Sequence, residues 1–260
     1  MTALGRRRTS PRRRAALAAL LGTAVALGGT ACGPFDEEGS GPFKGLTGPQ
    51  IASKSIAATR TAESLTLDMA TMSADGPVRA YLAIDRQGRC AGTVTLGVTG
   101  TAELIKTADS AYMRFDEAFL REQGKGEPAE KQAAALKTLK DGKGKWAETD
   151  ASDPRAKDSL ELCDLNARLA AFEKGLDLDL DFAGADAGEV TTVNGKQALM
   201  LTEGRGARTT TLYVAAEGAP YLLKVVAKGG EEPGTYTFSS YDRPVPAREP
   251  AAKDVVDPKD

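Results

Sequence analysis

Residues 64–115 read SLTLDMATMSADGPVRAYLAIDRQGRCAGTVTLGVTGTAELIKTADSAYMRF. Leu65, Leu67 and Met69 alternate with Thr66 and Asp68, and Val78, Ala80, Leu82 and Ile84 alternate with Arg79 and Asp85. A period of two sends successive side chains to opposite faces, so these segments are strands with one face buried. After the turn Arg86-Gln87-Gly88-Arg89, the residues Cys90, Gly92, Val94, Leu96 and Val98 fall on one side and Ala91, Thr93, Thr95 and Gly97 on the other. Further strands are predicted over 101–107 and 110–115, with turns around Gly100 and Asp109. Short turns between neighbouring strands make the run an antiparallel meander.

Upstream of it, Ile51, Ser55, Ile56 and Ala58 share one face of a helix that opens at Pro49 and ends near Thr61. Downstream the period lengthens again. Pro128 suits a first helical turn, and 129–140 is rich in helix formers with Leu136 and Leu139 on one stripe. Leu162, Cys163, Leu165, Leu169 and Phe172 make a second stripe, closed by Lys174 and Gly175. The last third returns to strands at 189–193, 196–202, 208–215, 221–228 and 235–241, with the hairpin turn Asn194-Gly195 and the turn Gly218-Ala219-Pro220. A short strand near Trp146 brings the prediction to about eleven strands and two or three helices. Strand runs separated by helices define an α+β fold in which one large, curved antiparallel sheet is covered by the helices. The small residues Gly92, Gly97, Ala80 and Ala83 leave room for a cavity between sheet and helices. The tail from Arg243 is predicted to be extended or frayed.

The beginning of the chain follows a different logic. Arg6, Arg7, Arg8, Arg12, Arg13 and Arg14, with no acid among them, precede the apolar run 15–27 and a series of small residues up to Cys32. That order is a signal peptide over 1–31, and its apolar run is shorter than the roughly 20 residues a membrane span requires. Gly29-Thr30-Ala31-Cys32 resembles the lipobox of bacterial lipoproteins, in which the cysteine takes a diacylglycerol thioether and becomes the new N-terminus. Acyl chains contribute roughly 0.8 kcal/mol per buried methylene, so Cys32 is the predicted lipidation site and would hold the chain on the extracytoplasmic face of the cell membrane. Plain cleavage near Ala31 is the alternative, and the arginine pairs are compatible with either of the two bacterial export routes. Residues 32–48, dense in Gly, Pro and acid after the cysteine, read as a flexible tether. The domain then occupies 49–245, and 246–260 is the tail.

Cys90 and Cys163 remain inside the domain. An exported chain meets oxidising conditions, in which such a pair forms a disulfide; two separate buried thiols are the alternative. A bridge would staple helix to sheet across some 70 residues, worth roughly 4 kcal/mol in the chain-entropy model.

Composition excludes several chemistries. Without the six arginines of the leader, 28 basic residues face 36 acidic ones and the formal charge moves from -2 to -8, which disfavours nucleic acid as a partner. Histidine is absent, and with it go the usual general base near neutral pH and the commonest metal ligand. Asp177, Asp179 and Asp181 alternate with leucines, a pattern of a solvated strand face rather than of a calcium loop. Glu117, Glu122, Glu127 and Glu130 gather around a helix start, where the helix dipole favours them. No nucleophile elbow, phosphate-binding loop or Cys-x-x-Cys occurs. The expectation is therefore a non-enzymatic chain without cofactor or metal, in which Trp146 either lines a cavity or packs at the core boundary.

The chain resembles the actinobacterial lipoproteins of the LppX/LprA/LprF/LprG family and, beyond them, the LolA/LolB carrier fold. The likeness runs over most of 49–245 and is carried by the lipidated start, by the order helix, meander, helices, meander, and by short segments. Among these are Gly100-Thr101-Ala102-Glu103-Leu104-Ile105, Tyr112-Met113-Arg114-Phe115, Val193-Asn194-Gly195-Lys196, Gly218-Ala219-Pro220-Tyr221-Leu222-Leu223 and Tyr236-Thr237-Phe238. The resemblance implies a half-barrel clasping the helices, with an apolar cavity that takes acyl chains in some members. It makes a membrane-anchored carrier or binding module for a lipid, glycolipid or other apolar ligand the first functional expectation. A cell-surface protein-interaction or sensor domain without a small-molecule ligand is the second, its protein partner not legible.

Overall fold

The computed structural model describes residues 43–256 apart from 75, 143, 176–181 and 231–232. Cys32 with the leader, and the alternating Asp177, Asp179 and Asp181, lie outside the described residues. Five strands leave the centre of the sheet in chain order: β1 (Ser64–Ser73), β2 (Gly76–Asp85), β3 (Cys90–Leu96), β4 (Gly100–Lys106) and β5 (Ser110–Phe115), with the short β6 (Ala147–Asp150) at the edge. Five more return from the other edge: β7 (Asp186–Val193), β8 (Lys196–Arg205), β9 (Arg208–Ala215), β10 (Leu222–Lys228) and β11 (Gly234–Ser239). The result is one 11-stranded sheet of order β6-β5-β4-β3-β2-β1-β11-β10-β9-β8-β7. The two meanders join where β1 pairs antiparallel with β11, Leu67 opposite Phe238. At the β7–β8 turn Asn194 and Gly195 take φ of 49° and 78°, the pair of positive angles that lets a two-residue turn follow the twist of its strands.

The helices are α1 (Gly48–Arg60), α2 (Glu117–Gln123), α3 (Ala129–Asp141), the single turn α4 (Lys157–Leu160) and α5 (Leu165–Gly175). Thr47 opens α1 with a capping box: its backbone N–H donates to Gln50 Oε1 at 2.8 Å and its hydroxyl accepts from Gln50 N at 3.5 Å. α1 buries Ile51, Ala52, Ser55, Ile56 and Thr59, and α5 buries Leu165, Leu169, Phe172 and Glu173. Both faces join one core with Leu65, Leu67, Leu82, Ile84, Val225 and Phe238 of the inner sheet face. Phe172 meets Tyr236 and Phe238 edge-on, with centroids 5.0 and 5.1 Å away. Glu173 is only 5% exposed, and Arg60 Nε donates to its two carboxylate oxygens at 2.9 and 2.8 Å, which ties α1 to α5. Leu222 N donates to Thr59 Oγ1 at 3.0 Å, fixing α1 to β10.

Cys90 at the start of β3 and Cys163 in the turn before α5 are disulfide-bonded, with Cα atoms 5.3 Å apart, inside the usual range for unforced bridging. Both are buried.

The structure departs from the sequence-based expectation in four places. Among the described residues there are four helices of at least seven residues, because Asp116 opens an additional helix, α2, by accepting from Phe119 N at 2.6 Å. Val98, read as the inward end of β3, stands in the β3–β4 turn and is 89% exposed. The fold begins before residue 49: Phe43 is buried and belongs to the core. The tail is extended but docked. Asp242 N donates to Ser64 O at 2.9 Å, Ser64 Oγ to Arg243 O at 2.6 Å, and Tyr221 OH to Asp242 Oδ2 at 2.7 Å. Farther on, Trp146 N donates to Asp254 O and Val256 N to Trp146 O, both at 2.8 Å, forming a one-residue parallel bridge between Trp146 and Val255. Such bonds contribute about 1 kcal/mol each.

Between these anchors the tail follows the outer sheet face. Strand alternation turns Tyr112 and Trp146 away from the core, yet they are only 4% and 8% exposed, and the charge of Glu249 acts on the Tyr112 phenol. Where the tail starts, Tyr221 and Tyr241 stack with centroids 4.1 Å apart, and Tyr241 OH donates to Leu222 O at 2.5 Å. Burial pushes the Tyr241 phenol far above its ordinary pKa.

Candidate ligand cavity

Towards the β6 end of the sheet, α2 packs on β3 and β4, and α3 packs on α2. Met113 and Phe115 point to the inner face, because Met113 pairs with Leu104 of the core side and Ala147 pairs with Met113 in turn. Phe115 stacks on Phe119 at 5.5 Å, which brings α2 down onto β4. Asp116 adds a second clamp, since its Oδ2 accepts from Thr101 N at 3.0 Å. The approach is so close that a Cβ on Gly100 would stand 2.7 Å from Phe119 Cα, so only glycine fits there.

α3 behaves differently. Its capping residue Pro128 makes no side-chain hydrogen bond, and no residue of α3 with a described side chain is buried. Ala135 and Leu136 are half-covered only. Beneath it lies a cavity of about 1010 Å³, with Met113, Phe115, Leu120, Ala135, Ala147 and Val256 among its walls. Arg114, Asp141, Lys145, Glu148 and Asp150 line it as well, so its wall is mixed. Several of these polar groups are engaged. Arg114 Nη2 donates to both carboxylate oxygens of Glu103 at 2.7 Å, and its guanidinium lies 4.7 Å from the Trp146 ring. Glu148 Oε1 accepts from Ser110 Oγ at 2.9 Å and from Tyr112 OH at 3.1 Å. Burial raises the Tyr112 phenol, and hydrogen bonds from Ser152 hold the Asp150 carboxyl below the usual carboxylate range. Lys145 has no ion-pair partner among the described residues.

The expected opening around Gly92 is filled. A Cβ there would lie 1.9 Å from Tyr81 O, so Gly92 lets β2 and β3 approach rather than making space. Ala80 and Ala83 are buried, and Gly97 faces the Glu122 carboxylate. The cavity is instead bordered by α3, one of the helices expected from the sequence to cover the sheet, and the weak signal for its place was its composition, alanine and lysine with few large apolar residues. Trp146 packs on the outer face under Arg114 and the tail, at the boundary of the fold, and does not line the cavity.

A second hollow, of about 600 Å³, opens near the disulfide between the β2–β3 turn and the segment around Lys157. It is polar, and its Arg86 is occupied in bracing: Nε donates to Ala62 O at 2.9 Å and Nη1 to Asn166 Oδ1 at 2.6 Å. Among the described residues no group of three His, Cys, Asp or Glu is placed to hold a metal ion, and no helix is long and apolar enough to cross a membrane. Glu117 and Glu122 form ion pairs with Arg121 and Lys125, and Glu127 with Lys131.

Fold and cavity together define a class of protein: an α+β molecule whose one open antiparallel sheet holds two core helices at its centre and an apolar hollow under a third at its edge. Compared with solved structures, the chain is similar to LprF from Mycobacterium bovis, at 14% identity and a TM-score of 0.47 over 79% of this chain and 97% of that one. It is also similar to the lipoprotein LppX of Mycobacterium tuberculosis, at 12% identity and a TM-score of 0.42 over 77% and 99%. Both bear names of the group that the sequence resembles. No protein-family model and no curated protein sequence matches the chain.

Proposed function

We propose that the chain is an extracytoplasmic lipoprotein, tethered through Cys32, that carries a lipid or another apolar ligand in the cavity beneath α3 and performs no catalysis. The observation that carries this reading is a 13-residue helix with no described side chain buried, spanning a cavity of about 1010 Å³ walled by Met113, Phe115, Leu120 and Ala135. A helix that packs no described side chain into the core and borders a hollow through Ala135 and Thr138 leaves that space without a protein occupant, and an apolar ligand supplies one. Hollows of roughly 300–1,000 Å³ suit small organic ligands, and this one is at the upper end. Lys145 on the cavity wall offers a cationic donor to a polar or anionic headgroup, while the acyl part would lie against Met113, Phe115 and Leu120. The arginine-rich leader and the small residues before Cys32 support delivery to, and retention at, the outer face of the membrane.

Native mass spectrometry of the full chain, purified without added lipid and compared before and after organic extraction, tests the reading. The expected result is an extractable mass of lipid size that disappears on extraction. A bare protein mass in both samples would contradict it and favour the alternative of a cell-surface interaction domain.

A further inference from the structure

The cavity has one wall unlike the others. Its floor is β-sheet, α2 is clamped by Asp116 to both Phe119 and Thr101, but Val256 belongs to the tail. The tail is anchored unevenly. Around Asp242 it is held by four hydrogen bonds involving Glu63, Ser64 and Tyr221. From 244 to 250 it makes no backbone–backbone hydrogen bond among the described residues, and Pro244, Pro246 and Pro250 have no N–H to donate. Beyond 250, two backbone hydrogen bonds to Trp146 are the ones that join it to the sheet among the described residues, while 251–254 are exposed. A firm anchor, a segment without ladder bonds and a weak terminal latch together make a hinged strap.

Resting on the cavity reading, we infer that 252–256 is the movable wall of the cavity and that an apolar ligand enters and leaves when Val255-Val256 unpairs from Trp146. The latch holds the tail at the sheet edge next to the wall that Val256 contributes, so unlatching widens the mouth without disturbing the core. Ligand packed against Val256 favours the latched state, and by linkage the latched state binds ligand more tightly; release is slow because it waits on unlatching. Trp146 is the single tryptophan of the chain, so its fluorescence reports the latch.

Val256→Pro tests this, because it deletes the N–H that donates to Trp146 O. Val255 at φ -100° and ψ 143° already has the conformation a residue before proline requires. The full chain and the variant are loaded with cis-parinaric acid, a fluorescent fatty acid, and release is followed after dilution together with Trp146 emission. Release about five- to ten-fold faster is expected, the factor one net backbone hydrogen bond represents, with red-shifted Trp146 emission and an unchanged melting temperature. A chain ended at Ala251 should release at least as fast. Wild-type release rates in both variants would overturn the strap and leave the cavity reading standing. A wild-type chain that takes up no fatty acid would overturn both.

Discussion

A chain carrying Cys90→Ala and Cys163→Ala unfolds with about 4 kcal/mol less stability than the wild type in urea titrations under non-reducing conditions. The bridge spans a sequence separation of 73, and in the chain-entropy model closing a loop of that size removes about that much freedom from the unfolded chain. Loss of two buried sulfurs adds a smaller packing term. The location gives the effect a second consequence. The closed loop contains β4, β5, β6, α2 and α3, so the disulfide joins the two ends of the segment that builds the cavity. A drop well below 2 kcal/mol would mean that this segment is already constrained in the unfolded chain.

Phe172→Ala is expected to cost about 3–5 kcal/mol, the range for deleting a buried aromatic side chain. Phe172 is where α5 reaches the join of the two meanders: it meets Tyr236 and Phe238 of β11 edge-on, and those residues stand opposite Met69 and Leu67 of β1. Truncation there removes the edge-to-face contacts as well as the buried area. Glu173, the next residue, holds Arg60 of α1, so a shift of α5 also loosens that ion pair. Urea titration measures the loss. A cost under 1 kcal/mol would show that α5 is not part of the cooperative core.

The sheet was legible from the sequence because its strands alternate over lengths at which chance alternation is rare, and because Asn194-Gly195 and the β2–β3 turn mark where the chain reverses. The join between β1 and β11 has no local signature, since it pairs residues more than 160 positions apart. α3 was legible as a helix but not as a roof. Composition gives a helix its propensity, whereas what lies beside Ala135 and Thr138 depends on where β5 and α2 end up. Gly92 was misread for a similar reason: a small residue in a strand signals either space or close approach, and the neighbouring strand's carbonyl decides between them. The docking of 254–256 was hidden by Pro244, Pro246 and Pro250, which make a segment look unstructured while they only remove its donors.

The measurement that bears most directly on the cavity is a titration of cis-parinaric acid into the full chain and into Ala135→Phe. Ala135 is a half-buried residue of α3 on the cavity wall, so the added ring takes up ligand space without entering the core. If the cavity is the binding site, the wild type binds the fatty acid and the variant binds at least about ten-fold more weakly at an unchanged melting temperature. Equal binding by the two chains would contradict a ligand site beneath α3.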